Sequence, residues 1–184
     1  MQLLLSFLPF LAFAVRISEL GSIAALLLGA LASAILVGHG LASGRSAKLL
    51  EVGSIALFAA LAAFEYVSGT RLSLIGAKFA VDFGLLLIVV FSVVIGRPFT
   101  LQYAKESVSP AIWSSPAFKR KNDMISLVWA AAFLAMVGAE LAMLVWPTLS
   151  HRLPVLVIVL ALVGAFKFTQ SQRKAGAAGS IEHS

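Results

Sequence analysis

Five long apolar segments make up more than half of the 184-residue chain. Each is long enough to cross roughly 30 Å of hydrocarbon as an α-helix. Charged residues make up 12% of the chain, far below the share of about 25% that is usual in soluble domains. We therefore predict an all-α integral membrane protein, with one membrane domain over residues 1–169 and spans at Leu20–Ala42, Val52–Ser68, Leu72–Ile95, Met124–Trp146 and Leu153–Thr169.

A shorter apolar stretch precedes the first span and ends at Arg16. It is too short for an ordinary crossing, and Pro9 interrupts it. A cleaved signal peptide is disfavoured because no Lys or Arg precedes the apolar residues. We predict a short N-terminal helix that is interfacial, re-entrant or a sixth crossing. At the other end of the chain, the small and polar residues of 170–184 predict a disordered tail.

The basic residues predict the orientation of the bundle. If the five spans alternate, three basic residues lie on one side: Arg16, Arg71 and Arg152. Ten lie on the other side: Arg45, Lys48, Arg97, Lys105, Lys119, Arg120, Lys121, Lys167, Arg173 and Lys174. Cytoplasmic loops carry such an excess, so we predict a cytoplasmic C-terminus and long loop, residues 96–123. The net charge of +6 then contacts lipid headgroups, and we expect no binding of nucleic acid.

Four ionisable residues lie inside predicted spans: Glu65, Lys78, Asp82 and Glu140. Lys78 and Asp82 are four residues apart, which places them on one face of a helix. In one interpretation they neutralise each other, while Glu65 and Glu140 extend outward to the headgroups. In the other, all four form a polar pocket or a proton-carrying cluster, because ionisable groups within the membrane are candidates for function.

The 96–123 loop contains six residues that we interpret as a contact region for a partner: Arg97, Pro98, Phe99, Tyr103, Trp113 and Phe118. Phe99 and Tyr103 share one side of a short helix that Pro98 can begin. Trp113 and Phe118 are typical of side chains that anchor a protein at the membrane surface. The alternative is an amphipathic segment that lies on the inner leaflet without binding a partner.

Several kinds of chemistry have no support in the sequence. There is no cysteine, which excludes disulfides and thiolate chemistry. His39, His151 and His183 are far apart and no HExxH motif occurs, so we expect no metal site. Phosphate-binding and nucleophile motifs are likewise missing from the sequence. We therefore predict no cofactor and no enzymatic activity.

Small residues recur every four positions in the first span, at Gly21, Ala25, Gly29 and Ser33. Such rows allow helix backbones to approach closely in lipid. The sequence leaves open whether the row packs within one chain or between the chains of a homo-oligomer.

Three segments are similar to those of bacterial intracellular septation protein A. They are the opening LLSFLPFLAFAVRISELGSIAALLLGALASAILVG, the basic segment GRPFTLQYAKE and the helix entry FKRKNDMISLVWAAAF. The resemblance implies a non-enzymatic protein of the bacterial inner membrane. Its expected role is envelope maintenance or cell division, through other membrane proteins of the division or elongation machinery. The alternative from the charged residues is a small proton- or ion-coupled transporter or channel.

Overall fold

The computed structural model describes residues 2–148, 150 and 152–178, which contain helices and no strand. Five of the helices are long and apolar enough to cross a membrane. The predicted class, an all-α multi-pass membrane protein with a short N-terminal helical segment, is confirmed. The α-helices are α1 (Gln2–Leu5), α2 (Leu8–Leu20), α3 (Ser22–Ala42), α4 (Leu49–Ser68), α5 (Leu74–Val94), α6 (Phe99–Lys105), α7 (Pro116–Val145) and α8 (Arg152–Ala178).

Local sequence explains where several of these helices begin and end. Gly69 adopts a left-handed backbone conformation, with φ of 66°, that ends α4. The Ser73 hydroxyl then accepts a hydrogen bond from the Gly76 amide and caps the start of α5. Pro116 occupies the first turn of α7, where its missing amide hydrogen is not needed.

Two helices extend past the limits that we predicted for their segments. We predicted that the fourth span begins at Met124, whereas α7 begins at Pro116. The charged residues before Met124 are good helix formers, so the helix continues past the apolar segment. We also predicted a disordered tail over 170–184, but α8 continues to Ala178. Residues 179–184 lie outside the described part of the chain, so that part of the prediction stays open.

The N-terminal segment lies along the bundle and not across one end of it. The helix breaks at Ser6 and Phe7, before Pro9, and α1 contacts α6 while α2 packs against α3. The Phe7 ring stacks on Trp129, with ring centroids 4.8 Å apart. Further along, Phe13 packs against Phe58 of α4. Ser6 lies beside Glu51 at one end of the bundle, and Ile17 lies beside Leu72 and Leu74 at the other end. This placement favours the sixth-crossing interpretation.

The row of small residues on α3 packs within the chain. Ala25, Gly29 and Ser33 are buried where α3 lies against α4. A methyl group on Gly29 would lie 2.7 Å from the Phe58 ring, so the close approach requires glycine there. The predicted close packing is present, and the chain itself supplies the partner helix.

The bundle has two ends that differ in polar chemistry. The Lys48 end contains the C-terminus of α3, the N-terminus of α4 and the short helix α6. The Glu65 end contains the N-termini of α3 and α5 and the C-termini of α4 and α7.

Candidate functional site

A pair of carboxyl groups lies between α5 and α7 near the Glu65 end. α5 carries Lys78 and Asp82 one turn apart, and α7 carries Glu140 five residues before its last residue. The two helices pack closely, which brings Asp82 to Glu140. Glu140 is only 2% exposed, whereas Asp82 and Lys78 are partly buried.

Asp82 and Glu140 face each other between α5 and α7 and are close enough to interact electrostatically. The Lys78 ammonium interacts electrostatically with both carboxyl groups. Glu140 Oε2 is buried and has no hydrogen-bond partner among the residues that the structure describes. The Asp82–Glu140 pair therefore keeps an unused acceptor inside the bundle.

This arrangement corrects one of the two interpretations from sequence. No ion pair within 4.0 Å joins Lys78 to Asp82 in the described residues, so they are not a closed pair. Glu65 and Glu140 are both buried, so neither extends to the headgroups. The reason is helix rotation: both glutamates face neighbouring helices, whereas apolar residues next to them in the chain, such as Phe64 and Leu141, face outward.

The nearness of two carboxyl groups has a direct chemical consequence. Two ionised carboxylates that lie close together and away from water repel each other, so such a pair can share one proton. The Lys78 charge then balances the remaining negative charge. The group of three can thus bind and release one proton within the membrane domain.

Glu65 belongs to a separate site at the same end of the bundle. Its side chain is 1% exposed, and its Oε2 accepts a hydrogen bond of 2.6 Å from the Ser22 hydroxyl of α3. Its Oε1 has no hydrogen-bond partner within the described residues. The four ionisable residues that we grouped from sequence therefore divide into two sites, Glu65 with Ser22 and the Asp82–Glu140 pair with Lys78.

The predicted contact region of the loop is only partly on the surface. Phe99 is fully buried, Tyr103 and Pro98 are also buried, and Phe118 is partly buried. Phe99 packs beside Phe7 in the core, and its amide donates to the Ser92 hydroxyl. The prediction that these residues form one docking surface was wrong, because α6 folds back into the bundle.

Arg97 and Trp113 remain exposed from that predicted set. The Lys105 ammonium lies over the Trp113 ring, 5.4 Å from its centroid. This small exposed group lies outside the five membrane-spanning helices.

A buried ion network at the Lys48 end was missed from the sequence. The Lys48 ammonium lies 2.9 Å from Glu106 Oε1 and 3.7 Å from Glu51 Oε1. Glu51 Oε1 also accepts hydrogen bonds from the Ser6 and Tyr103 hydroxyls, at 3.2 and 3.4 Å. Only the three-residue spacing of Lys48 and Glu51 could have indicated part of this network. Its other members come from the break between α1 and α2 and from the end of α6, far away in the chain.

The network also changes the chemistry of Tyr103, which lies outside the membrane-spanning helices. Burial raises the pKa of its phenol above the ordinary value, and the negative charge of Glu51 acts in the same direction. Tyr103 is therefore a hydrogen-bond donor that keeps its proton at physiological pH.

The described residues contain no group of three or more His, Asp or Glu side chains that could hold a metal ion. His39 is exposed at the end of α3, with its ring 3.2 Å from the Ser43 hydroxyl. His151 and His183 lie outside the described residues.

Together, the fold and the buried sites define an all-helical, multi-pass membrane protein with polar groups at both ends of its bundle. No protein-family model, curated protein or solved structure matches the chain. The resemblance to septation protein A therefore stays a prediction.

Proposed function

We propose that this protein is a small proton-coupled transport protein in which Asp82 and Glu140 hold the proton. The observation that carries the proposal is that these two carboxyl groups interact inside an apolar bundle, where Glu140 is 2% exposed and Lys78 lies beside them. An ionised side chain in a membrane helix costs about 2.5–3.5 kcal/mol on insertion scales. Hydrophobic residues would pack at this position at lower cost, so a role in proton binding accounts for the carboxyl groups.

The charge distribution supports an orientation for the proposed transporter. Ten basic residues belong to the side of the Lys48 end, and three belong to the side of the Glu65 end. By the positive-inside rule, the Lys48 end and the C-terminus face the cytoplasm. The Asp82–Glu140 pair then lies in the outer half of the membrane. The resemblance to septation protein A supports the bacterial inner membrane as the location.

Infrared spectroscopy tests whether the pair holds a proton. The purified wild type should show the carbonyl stretching band of a protonated carboxylic acid at neutral pH, and Asp82→Asn and Glu140→Gln should each reduce it. Glu19→Gln is the matched control, since Glu19 is exposed at the same end of the bundle. A band that persists at full intensity in both variants would refute the assignment.

Proteoliposomes test whether proton binding is coupled to transport. With a pH-sensitive dye inside and a panel of solutes outside, the wild type should move protons faster than empty vesicles. Asp82→Asn and Glu140→Gln should lower that rate at least tenfold, and Glu19→Gln should leave it unchanged. Wild-type rates equal to those of empty vesicles across the whole panel would contradict the proposal.

The second candidate is a structural or interaction protein of the cell envelope, as the resemblance implies. The observation that favours it is the exposed Trp113 ring beside the membrane domain, with the Lys105 ammonium over it. A photo-crosslinking residue at Trp113 should then capture a protein of the division or elongation machinery, and the same residue at exposed Tyr66 should not. Equal capture at both positions would count against a specific contact.

A further inference from the structure

A cavity of about 290 Å³ lies at the Glu65 end of the bundle, away from the Asp82–Glu140 pair. It lies between the break that separates α2 from α3 and the loop that joins α4 to α5. Its lining residues are Ile17, Ser18, Gly21, Ser22, Leu72 and Leu74. This volume is close to the lower limit for pockets that bind small molecules, and walls that are mainly apolar with few polar groups are typical of such pockets.

Ser22 connects this cavity to the buried carboxylate of Glu65. A serine hydroxyl has one proton to donate and two lone pairs that accept. Ser22 lines the cavity and donates that proton to Glu65 Oε2 at 2.6 Å. Only the acceptor capacity of the Ser22 hydroxyl is left for a ligand. Glu65 Oε1 is a second acceptor that has no partner among the described residues.

We propose that this cavity binds an organic ammonium cation, with Glu65 as its counter-ion. The ammonium group donates to the Ser22 hydroxyl beside the Glu65 carboxylate, and its hydrocarbon part contacts Ile17, Leu72 and Leu74. The N-terminal end of α3 favours a negative charge beside it, which suits Glu65 as a carboxylate. This site is distinct from the proton site of the proposed function, and its occupancy does not depend on proton coupling.

Two other ligand classes fit the cavity less well. A metal ion would need several oxygen ligands, and the described residues provide no group of three ionisable ligands. An anion would be repelled by Glu65, and the Ser22 proton is already donated. Of the three basic side chains on this side of the bundle, Arg16 is paired with Glu19 at 2.6 Å, and Arg71 and Arg152 are exposed.

Isothermal titration calorimetry of the purified protein with propylammonium chloride tests the proposal. The titration is run in detergent at one fixed pH, so its result is independent of any proton transport. The wild type should bind the amine saturably. Glu65→Gln should weaken binding at least tenfold while keeping the shape of the side chain. Glu19→Gln is the matched control and should bind as the wild type does.

A second variant protects the test against misfolding of Glu65→Gln. Leu72→Trp fills the cavity from the loop and leaves the carboxylate in place, so it should also abolish binding. Size-exclusion chromatography establishes that each variant is folded. Binding that is lost in Leu72→Trp but kept in Glu65→Gln would overturn the role of Glu65. Saturable binding of acetate, unaffected by Glu65→Gln, would overturn the cationic specificity.

The ammonium group can come from a free amine or from a lipid headgroup. Titrations in nanodiscs of phosphatidylglycerol and in nanodiscs that contain phosphatidylethanolamine distinguish these sources. If the headgroup occupies the cavity, phosphatidylethanolamine should weaken propylammonium binding at least threefold. Equal affinity in both nanodiscs would assign the site to free amines. The absence of propylammonium binding in detergent and in phosphatidylglycerol nanodiscs would refute the ammonium site.

Discussion

The two ends of the bundle both bury charged side chains, but the surroundings of those side chains differ. At the Lys48 end, one ammonium lies between two carboxylates, and two hydroxyl groups donate to the carboxylate of Glu51. At the Glu65 end, two buried carboxyl oxygens, Glu65 Oε1 and Glu140 Oε2, have no partner among the described residues.

This difference separates a structural role from a binding role. The ion network at the Lys48 end joins the break between α1 and α2 to the start of α4 and the end of α6, so it holds α6 and the N-terminal segment against the bundle. A buried polar group without a partner costs about 1–3 kcal/mol, so the unpartnered oxygens at the Glu65 end lower stability unless a proton or a ligand satisfies them. Mutations at the Lys48 end should therefore lower the stability of the protein, whereas mutations at the Glu65 end should change the binding of protons or ligands.

The largest expected loss of stability is that of Lys48→Met. Removing the ammonium leaves Glu51 and Glu106 facing each other without a counter-charge. Loss of one partner from a buried ion pair costs about 3–5 kcal/mol, so unfolding of the purified protein in detergent with added denaturant should require much less denaturant. Lys119→Met is the control because Lys119 is exposed. If both variants unfold at the wild-type midpoint, the network does not stabilise the bundle.

The variants Glu51→Gln and Glu140→Gln compare the two ends directly through their free energies of unfolding. Both changes replace a buried carboxyl group by an amide of the same shape. Glu51→Gln places an amide next to the Lys48 charge and should lower the free energy of unfolding by about 1–3 kcal/mol. Glu140→Gln removes one of two carboxyl groups that repel each other when both are ionised, so it should change stability by less than about 1 kcal/mol. Equal losses would remove the distinction between the two ends.

The membrane class and the spans could be predicted because they depend on the length and polarity of continuous segments. α3, α4 and α5 begin and end within a few residues of their predicted limits. The start of α7 and the end of α8 could not be predicted in the same way. Both helices continue past their apolar segments into charged or polar residues, where hydropathy carries no information about helix ends.

The residue types at the two ends could be identified from the sequence, but the contacts between those residues could not. The spacing of Lys78 and Asp82 showed that they share a helix face, but the nearness of Asp82 to Glu140 depends on how α5 and α7 are rotated. Tyr103 was noticed for its helical spacing with Phe99, although a loop assignment suggested exposure for both. Burial of α6 depends on contacts with Phe7 and with the Lys48 network, which come from distant parts of the chain.

The smallest expected effect is on the pH dependence of stability, through Tyr103 at the Lys48 end. Burial raises the pKa of Tyr103 above its ordinary value of about 10, so the folded protein keeps a phenol proton that the unfolded chain loses. The resulting stability is fully present below pH 10 and decreases as the pH rises above it. At pH 11 the wild type should have lost about 1.4 kcal/mol more than Tyr103→Phe, relative to pH 8, in denaturant unfolding. In Tyr66→Phe, where Tyr103 is the sole tyrosine, ultraviolet absorbance should show no tyrosinate at pH 11. A tyrosinate signal there would mean that the Lys48 end is open to water, and the contrast between the two ends would fail.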